Sequence, residues 1–235
     1  MYHVIGRPRT GTTILSEYAA VANKQKWYLE FFLDTYKIEN GKIVEHEHPI
    51  GWNAKNGFKR LPYQVEQKFE YLENLKQQGK MIPFKIFPYI FIGSEYEDRL
   101  YDLVKDFKLL TIMRDPLDTF LSYSYQDITG WQTPHRTIKN NVDVSIDKCY
   151  IGIDRVKLYI NRFKREEEFL SRLNYHHIFN YDDINDKHLQ DFFGVKIKEW
   201  NFPMNIDYRS LIKNIDAVEF AFEELYHGQV DSNRI

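Results

Sequence analysis

A turn bracketed by glycines, Gly6-Arg7-Pro8-Arg9-Thr10-Gly11-Thr12-Thr13, limits this chain more than any other segment. Upstream of it, Tyr2-His3-Val4-Ile5 reads as a short strand that ends at Gly6. Downstream, from Thr12 to about Asn23, Ile14, Leu15, Tyr18, Ala19 and Ala22 recur at helical spacing. Glycines let the backbone wrap an anion there, and the helix that follows points its free N–H groups and positive dipole end at the charge. The turn nearly matches the phosphate-loop pattern G-x-x-x-x-G-K-[ST], but Thr12 stands where that pattern has lysine. The lysine normally reaches the β- and γ-phosphates, so this loop is poorly equipped for a triphosphate with magnesium. Arg9 offers a cation one turn earlier. The competing reading is an ordinary strand–helix turn that contains glycine.

The remaining chain supports the same architecture. Residues 40 to 63 read as irregular, with Gly41, Pro49, Gly51, Gly57 and Pro62 as breakers. Val65, Phe69, Leu72 and Leu75 mark a helix that ends at Gly79. Met81 to Phe87 reads as a strand, 95 to 106 as a helix, and Lys108 to Met113 as the clearest buried strand. Asp115 can then cap a helix whose first position is Pro116. The longest periodic segment, Ile146 to Leu170, reads as a core helix, with a coiled coil as the alternative. His177 to Tyr181 is a further strand, followed by a helix to Phe193 and a last helix over roughly Tyr208 to Tyr226. Alternating strands and helices predict an α/β fold with a mainly parallel central sheet flanked by helices, its ligands beyond the carboxyl ends of the strands. No repeat or linker divides the 235 residues, so one domain over 1–235 is expected.

Composition removes several classes of function. With 32 Lys+Arg against 34 Asp+Glu the net charge is −2, which argues against a general nucleic-acid binder. The single cysteine, Cys149, excludes an intrachain disulfide and a thiolate metal cluster. No run reaches the roughly 18 apolar residues of a membrane span, and Met1 to Ile5 lead straight into a loop without an apolar signal region. A cytoplasmic protein without membrane span is the expectation. His46 and His48 fall on one side of an extended segment, but no third ligand is apparent, so no metal site is expected. His176-His177 carry no further signal, and Lys164-Arg165-Glu166-Glu167-Glu168 reads as a solvated helix face.

A second anion site is suggested by Arg114-Asp115-Pro116 at the end of the central strand, with Ser122 two helical turns later on the same side. An arginine there presents a forked donor set suited to phosphate oxygens. Alone, Arg-Asp-Pro is also compatible with a helix start and a solvated arginine.

Together the two loops resemble those of sulfotransferases that use 3′-phosphoadenosine 5′-phosphosulfate (PAPS). Pro8-Arg9-Thr10-Gly11-Thr12-Thr13 is similar to their 5′-phosphosulfate loop, in a form closer to the carbohydrate, tyrosylprotein and bacterial branches than to the cytosolic small-molecule branch. Arg114-Asp115-Pro116 with Ser122 is similar to their 3′-phosphate motif. The resemblance implies a P-loop NTPase-like three-layer fold and a PAPS-binding set of Arg9, Thr10, Gly11, Thr12, Thr13, Arg114, Ser122 and Tyr181, the last from Tyr181-Asp182-Asp183-Ile184. It also makes Arg9 and Glu30 the catalytic pair. Glu30, in Trp27-Tyr28-Leu29-Glu30-Phe31-Phe32, looks like the base of the bacterial branch, although Leu29 replaces the usual glycine; the alternative is a glutamate beside core aromatics. Lys85-Ile86-Phe87-Pro88 occupies the place of a histidine-bearing segment, and Phe87 cannot take a proton. Lys85 reads either as a neighbour of the sulfuryl group or as an edge-strand lysine. The C-terminal Arg-Lys-Gly segment of the cytosolic branch is missing, which leaves Arg136 and Arg209 as substitutes.

The implied partners are PAPS and a hydroxyl-bearing acceptor, with a sugar first and a peptide tyrosine or lipid next, and no metal is required. A small-molecule or nucleotide kinase, and a non-catalytic nucleotide-binding relative, remain as alternatives.

Overall fold

The computed structural model describes residues 1–25, 30–32, 36–45, 64–129, 148–197 and 206–228. Its strands are β1 (Tyr2–Ile5), β2 (Tyr36–Glu39), β3 (Lys42–Glu45), β4 (Lys85–Ile86), β5 (Lys108–Met113) and β6 (Tyr175–Asn180). Its helices are α1 (Thr12–Ala22), α2 (Val65–Gln77), α3 (Glu97–Val104), α4 (Pro116–Thr129), α5 (Ile153–Ser171), α6 (Asp186–Phe193) and α7 (Ile215–Tyr226). Four strands form one sheet in the order β4-β1-β5-β6, and every neighbouring pair in it is parallel. In this register Val4 lies beside both Lys85 and Leu110, so β1, β4 and β5 deliver their following loops to one edge of the sheet.

The side-chain alternation of a strand explains the layers. Ile5 and Leu109 face a core shared with Phe69 and Leu72 of α2 and with Leu100, Leu103 and Val104 of α3. Val4, Leu110 and Ile112 face the opposite core with Ile14, Leu15, Tyr18 and Ala19 of α1 and Leu189 of α6. This α/β arrangement, a mainly parallel sheet between helices, is the one the sequence predicts. A third cluster joins Phe120 and Leu121 of α4, Ile160 and Phe163 of α5, and Val218 and Phe222 of α7. Asp115 does cap α4: its carboxylate accepts the Asp118 N–H at 2.8 Å.

Several boundaries differ from the sequence reading. Residues 40 to 45, the start of the segment that reads as irregular over 40 to 63, form the turn at Asn40 and Gly41 and the second strand of an antiparallel hairpin, β2 with β3. The strand expected over 81 to 87 shrinks to Lys85–Ile86, because Pro83 removes a ladder donor just before it. Among the described residues of the long periodic stretch, the helix begins at Ile153. Cys149 instead bridges to Ile212, since Gly152 starts the helix and breaks the continuity that apolar spacing implied. The last helix begins at Ile215; Arg209–Leu211 form a separate 3₁₀ turn. Among the described residues no helix is long and apolar enough to cross a membrane.

One buried polar group makes the fold acid-sensitive. His3 is 2% exposed and sits between the rings of Phe84 and Phe107, at 4.4 and 4.5 Å between centroids. Burial pulls its pKa from 6.5 down to about 3. The unfolded chain therefore binds more protons than the folded one between those values, and stability falls as pH falls through that window. The expected slope is about 1.4 kcal/mol per pH unit at its steepest. Urea titrations from pH 7 to pH 4 check this: His3→Leu should flatten the slope, and an unchanged slope would contradict it.

Candidate functional site

The loop after β1 holds two left-handed residues. Gly11 has φ 83° and is the N-cap of α1, with no side chain capping the helix. A Cβ there would also meet the Tyr181 ring and Ile112 Cδ1, both at 3.3 Å. Arg9 has φ 70°, a region that costs a non-glycine residue free energy. Contacts hold it there: the Arg9 carbonyl accepts Arg114 Nη1 at 2.8 Å, and Thr10 Oγ1 donates to the Arg7 carbonyl at 2.8 Å. The N–H groups of Thr12 and Thr13 open the first turn of α1, where no intrahelical carbonyl meets them. The Thr12 side chain is buried and Thr13 is half-buried.

The loop after β5 converges on the same residue. Arg9 Nε donates to Ser122 Oγ at 3.0 Å and Arg9 Nη2 to the Tyr208 hydroxyl at 3.2 Å. Ser122, which the sequence places on the same side as Arg114, meets it at Arg9: Ser122 accepts from the Arg9 side chain and Arg114 donates to the Arg9 carbonyl. Arg114 reaches the Arg9 backbone and stacks on Tyr181, with its guanidinium carbon 4.3 Å from the ring centre. Arg114 Nε is buried with no hydrogen-bond partner. A buried donor of this kind costs free energy until an acceptor reaches it, so the position suits an anion.

Glu30 joins the cluster through Lys85. The Lys85 ammonium pairs with the Glu30 carboxylate and donates to Thr13 Oγ1 at 3.2 Å. Lys85 is 3% exposed, and its Nζ lies 5.0 Å over the Phe87 ring. Burial pulls its pKa below the ordinary lysine value, with the Glu17 carboxylate opposing. Lys85 does lie on an edge strand, β4, but its side chain is buried and turned to Glu30 and Thr13 rather than to solvent, so it does not blunt that edge.

The residues that the resemblance assigns to donor binding and catalysis, Arg9, Thr10, Gly11, Thr12, Thr13, Glu30, Arg114, Ser122 and Tyr181, gather at the carboxyl edge of the sheet. Backbone donors of α1, two guanidiniums, one ammonium and a serine hydroxyl meet there, a set able to bind anionic oxygens.

Some partners were missed. Tyr208 enters from a segment whose sequence carries no local signal for it. Glu166, read as part of a solvated face, is 2% exposed and bridges Arg7 Nε at 3.1 Å and Arg162 Nε at 2.8 Å. The helix turns this one residue of the charged run inward, where two guanidiniums compensate its burial. Arg7 also lies 3.4 Å over the Phe163 ring, which ties the first loop to α5. Arg209, a candidate for the second anion site, is held by Asp118 and Glu219. Arg136, His46 and His48, like Trp27 to Leu29, lie outside the described residues. Among the described residues no three His, Cys, Asp or Glu side chains gather as a metal site would require.

No protein-family description matches this chain, and no curated protein does. Among solved structures it is similar to a sulfotransferase from Alicyclobacillus acidocaldarius, at 15% identity and a TM-score of 0.41, over 96% of this chain and 95% of that one.

Proposed function

We propose that the chain is a PAPS-dependent sulfotransferase that moves a sulfuryl group to an acceptor hydroxyl. The observation that carries this reading is the meeting of two anion-binding loops at Arg9, with Arg114 Nε buried and unpartnered beside them. A nucleotide phosphorylated at both the 3′ and 5′ positions needs two such sites on neighbouring strand ends; a kinase needs only the first. Thr12, in place of the triphosphate-binding lysine, also speaks against a kinase.

In this reading the backbone of residues 10 to 13, with the Thr12 and Thr13 hydroxyls, holds the 5′-phosphate. Arg114 and Ser122 hold the 3′-phosphate. Ser122 Oγ accepts from Arg9, yet a hydroxyl keeps its own proton to donate. The Tyr181 ring, already packed on Gly11, offers a face to the adenine. Glu30 takes the acceptor's proton as the acceptor oxygen attacks sulfur and the bond from sulfur to the phosphate oxygen breaks. Arg9 stabilises the charge that develops on that leaving oxygen. A sugar hydroxyl is the first acceptor to test, because the aromatic side chains of this chain suit sugar faces.

The test is transfer of labelled sulfuryl from PAPS to panels of sugars, tyrosyl peptides and hydroxylated lipids. Label on one class supports the reading; none on any class removes it. Tyr208→Phe deletes only the hydroxyl that accepts Arg9 Nη2. The expected result is a kcat about tenfold lower, with thermal stability unchanged. An unchanged kcat would mean that Tyr208 does not help to place Arg9.

A further inference from the structure

One buried lysine serves two masters at this site. Lys85 is the contact partner of Glu30 and, through the same Nζ, of Thr13 at the start of α1. Among the described residues, Glu17 of α1 also bears on it. Thr13 is the half-buried hydroxyl of the anion loop, so an anion seated there competes with Glu30 for the ammonium. A carboxylate held against an ammonium is a poor proton acceptor, since the pairing stabilises its charged form. It becomes a better one when the ammonium turns to another anion and more negative charge arrives nearby.

We infer that Lys85 is shared between Glu30 and the bound donor: Glu30 holds it in the free protein, and the donor's anion draws it away, releasing the carboxylate to take the acceptor's proton. This rests on the sulfotransferase reading above and adds to it an order of events. The base is switched on by the donor, so the acceptor is deprotonated only when a sulfuryl group is in place. Atoms balance without a further reactant: the acceptor proton goes to Glu30, the sulfuryl group to the acceptor oxygen, and the electron pair of the broken bond to the nucleotide phosphate.

The inference makes a result expected that an ordinary structural ion pair would not give. If Glu30 competes for Lys85, removing its charge should strengthen donor binding. Calorimetric titration with 3′,5′-adenosine bisphosphate is expected to show Glu30→Gln binding about tenfold tighter than the native chain. Glu30→Asp, which keeps the charge, should bind as the native chain does. Lys85→Met should bind more weakly, and adding Glu30→Gln to it should give no gain. Thermal melts of each variant establish that it is folded. Should Lys85→Met fail to fold, Lys85→Gln takes its place, since removing a negative charge beside an anion site tightens binding by itself and only a variant at Lys85 shows whether the gain runs through the lysine. Native-like or weaker binding by Glu30→Gln overturns the shared lysine while leaving the sulfotransferase reading intact. No binding of the bisphosphate by any folded variant, the native chain included, overturns both.

Discussion

Glu166→Ala should destabilise the fold by about 3–5 kcal/mol, the cost expected when one partner of a buried ion pair is removed. Glu166 is 2% exposed, and its two oxygens accept from Arg7 Nε and Arg162 Nε. Both arginine side chains are themselves largely buried, at 14% and 16% exposure. Arg7 is also pinned by Phe163, whose carbonyl accepts Arg7 Nη2 at 3.2 Å, and Arg162 lies 3.9 Å over the Tyr89 ring. Neither guanidinium can swing out to water without giving up those contacts. Truncation therefore leaves two positive charges close together, with the more exposed Glu167, 3.7 Å from Arg7 Nη2, as the remaining counter-charge of Arg7. For a chain of this size the melting temperature should drop by about 10 °C. Glu168→Ala on the same helix, at an exposed position, is the control and should change little. A loss below about 1 kcal/mol for Glu166→Ala would place the pair with ordinary surface ion pairs. Because Arg7 belongs to the first loop, the same substitution should also loosen anion binding there.

The second large effect separates the two arginines of the site. Arg9→Ala should lower kcat by about 100-fold with a smaller change in donor affinity, because its guanidinium is proposed to act on charge that appears only as the bond to the leaving oxygen breaks. Arg114→Ala should instead weaken donor binding by about 100-fold, as the loss of a charge-assisted contact to a phosphate does. Steady-state kinetics with donor varied at saturating acceptor resolves the two. Arg9 also forms part of the site's framework: its carbonyl holds Arg114 and its side chain holds Ser122. Some loss of donor affinity in Arg9→Ala is therefore expected. Equal effects of both substitutions on both parameters would contradict the division of labour.

The two loops were legible because each is local. Gly6 to Thr13 joins a strand to a helix within one short segment, and glycine positions, an arginine and two threonines name its chemistry without help from the rest of the chain. Arg114, Asp115 and Pro116 likewise announce a strand end and a helix start. What the sequence could not show is which distant groups hold those loops. Tyr208 lies 199 residues from Arg9, Glu166 lies 159 from Arg7, and Lys85 lies 72 from Thr13. Tyr208 and Glu166 carry no such signal in their own neighbourhoods, and the segment around Lys85 left two readings of that lysine open. Glu166 sits in a run of charged residues, Lys164 to Glu168, whose composition resembles a solvated face, and only the phase of α5 against the first loop turns it inward. The start of the long helix was misplaced for a related reason. Apolar spacing continues through Cys149 to Ile153 while the backbone passes from an isolated bridge to a helix, and spacing does not record that change.

If the two loops form one site for a nucleotide phosphorylated at both 3′ and 5′ positions, the native chain prefers such a nucleotide to a triphosphate. Calorimetric titration of the native chain with 3′,5′-adenosine bisphosphate, set against ATP with magnesium, tests it most directly. The account requires micromolar binding of the bisphosphate, lost in Arg114→Ala, with ATP and magnesium bound far more weakly. Binding of ATP and magnesium alone, with none of the bisphosphate, would contradict it.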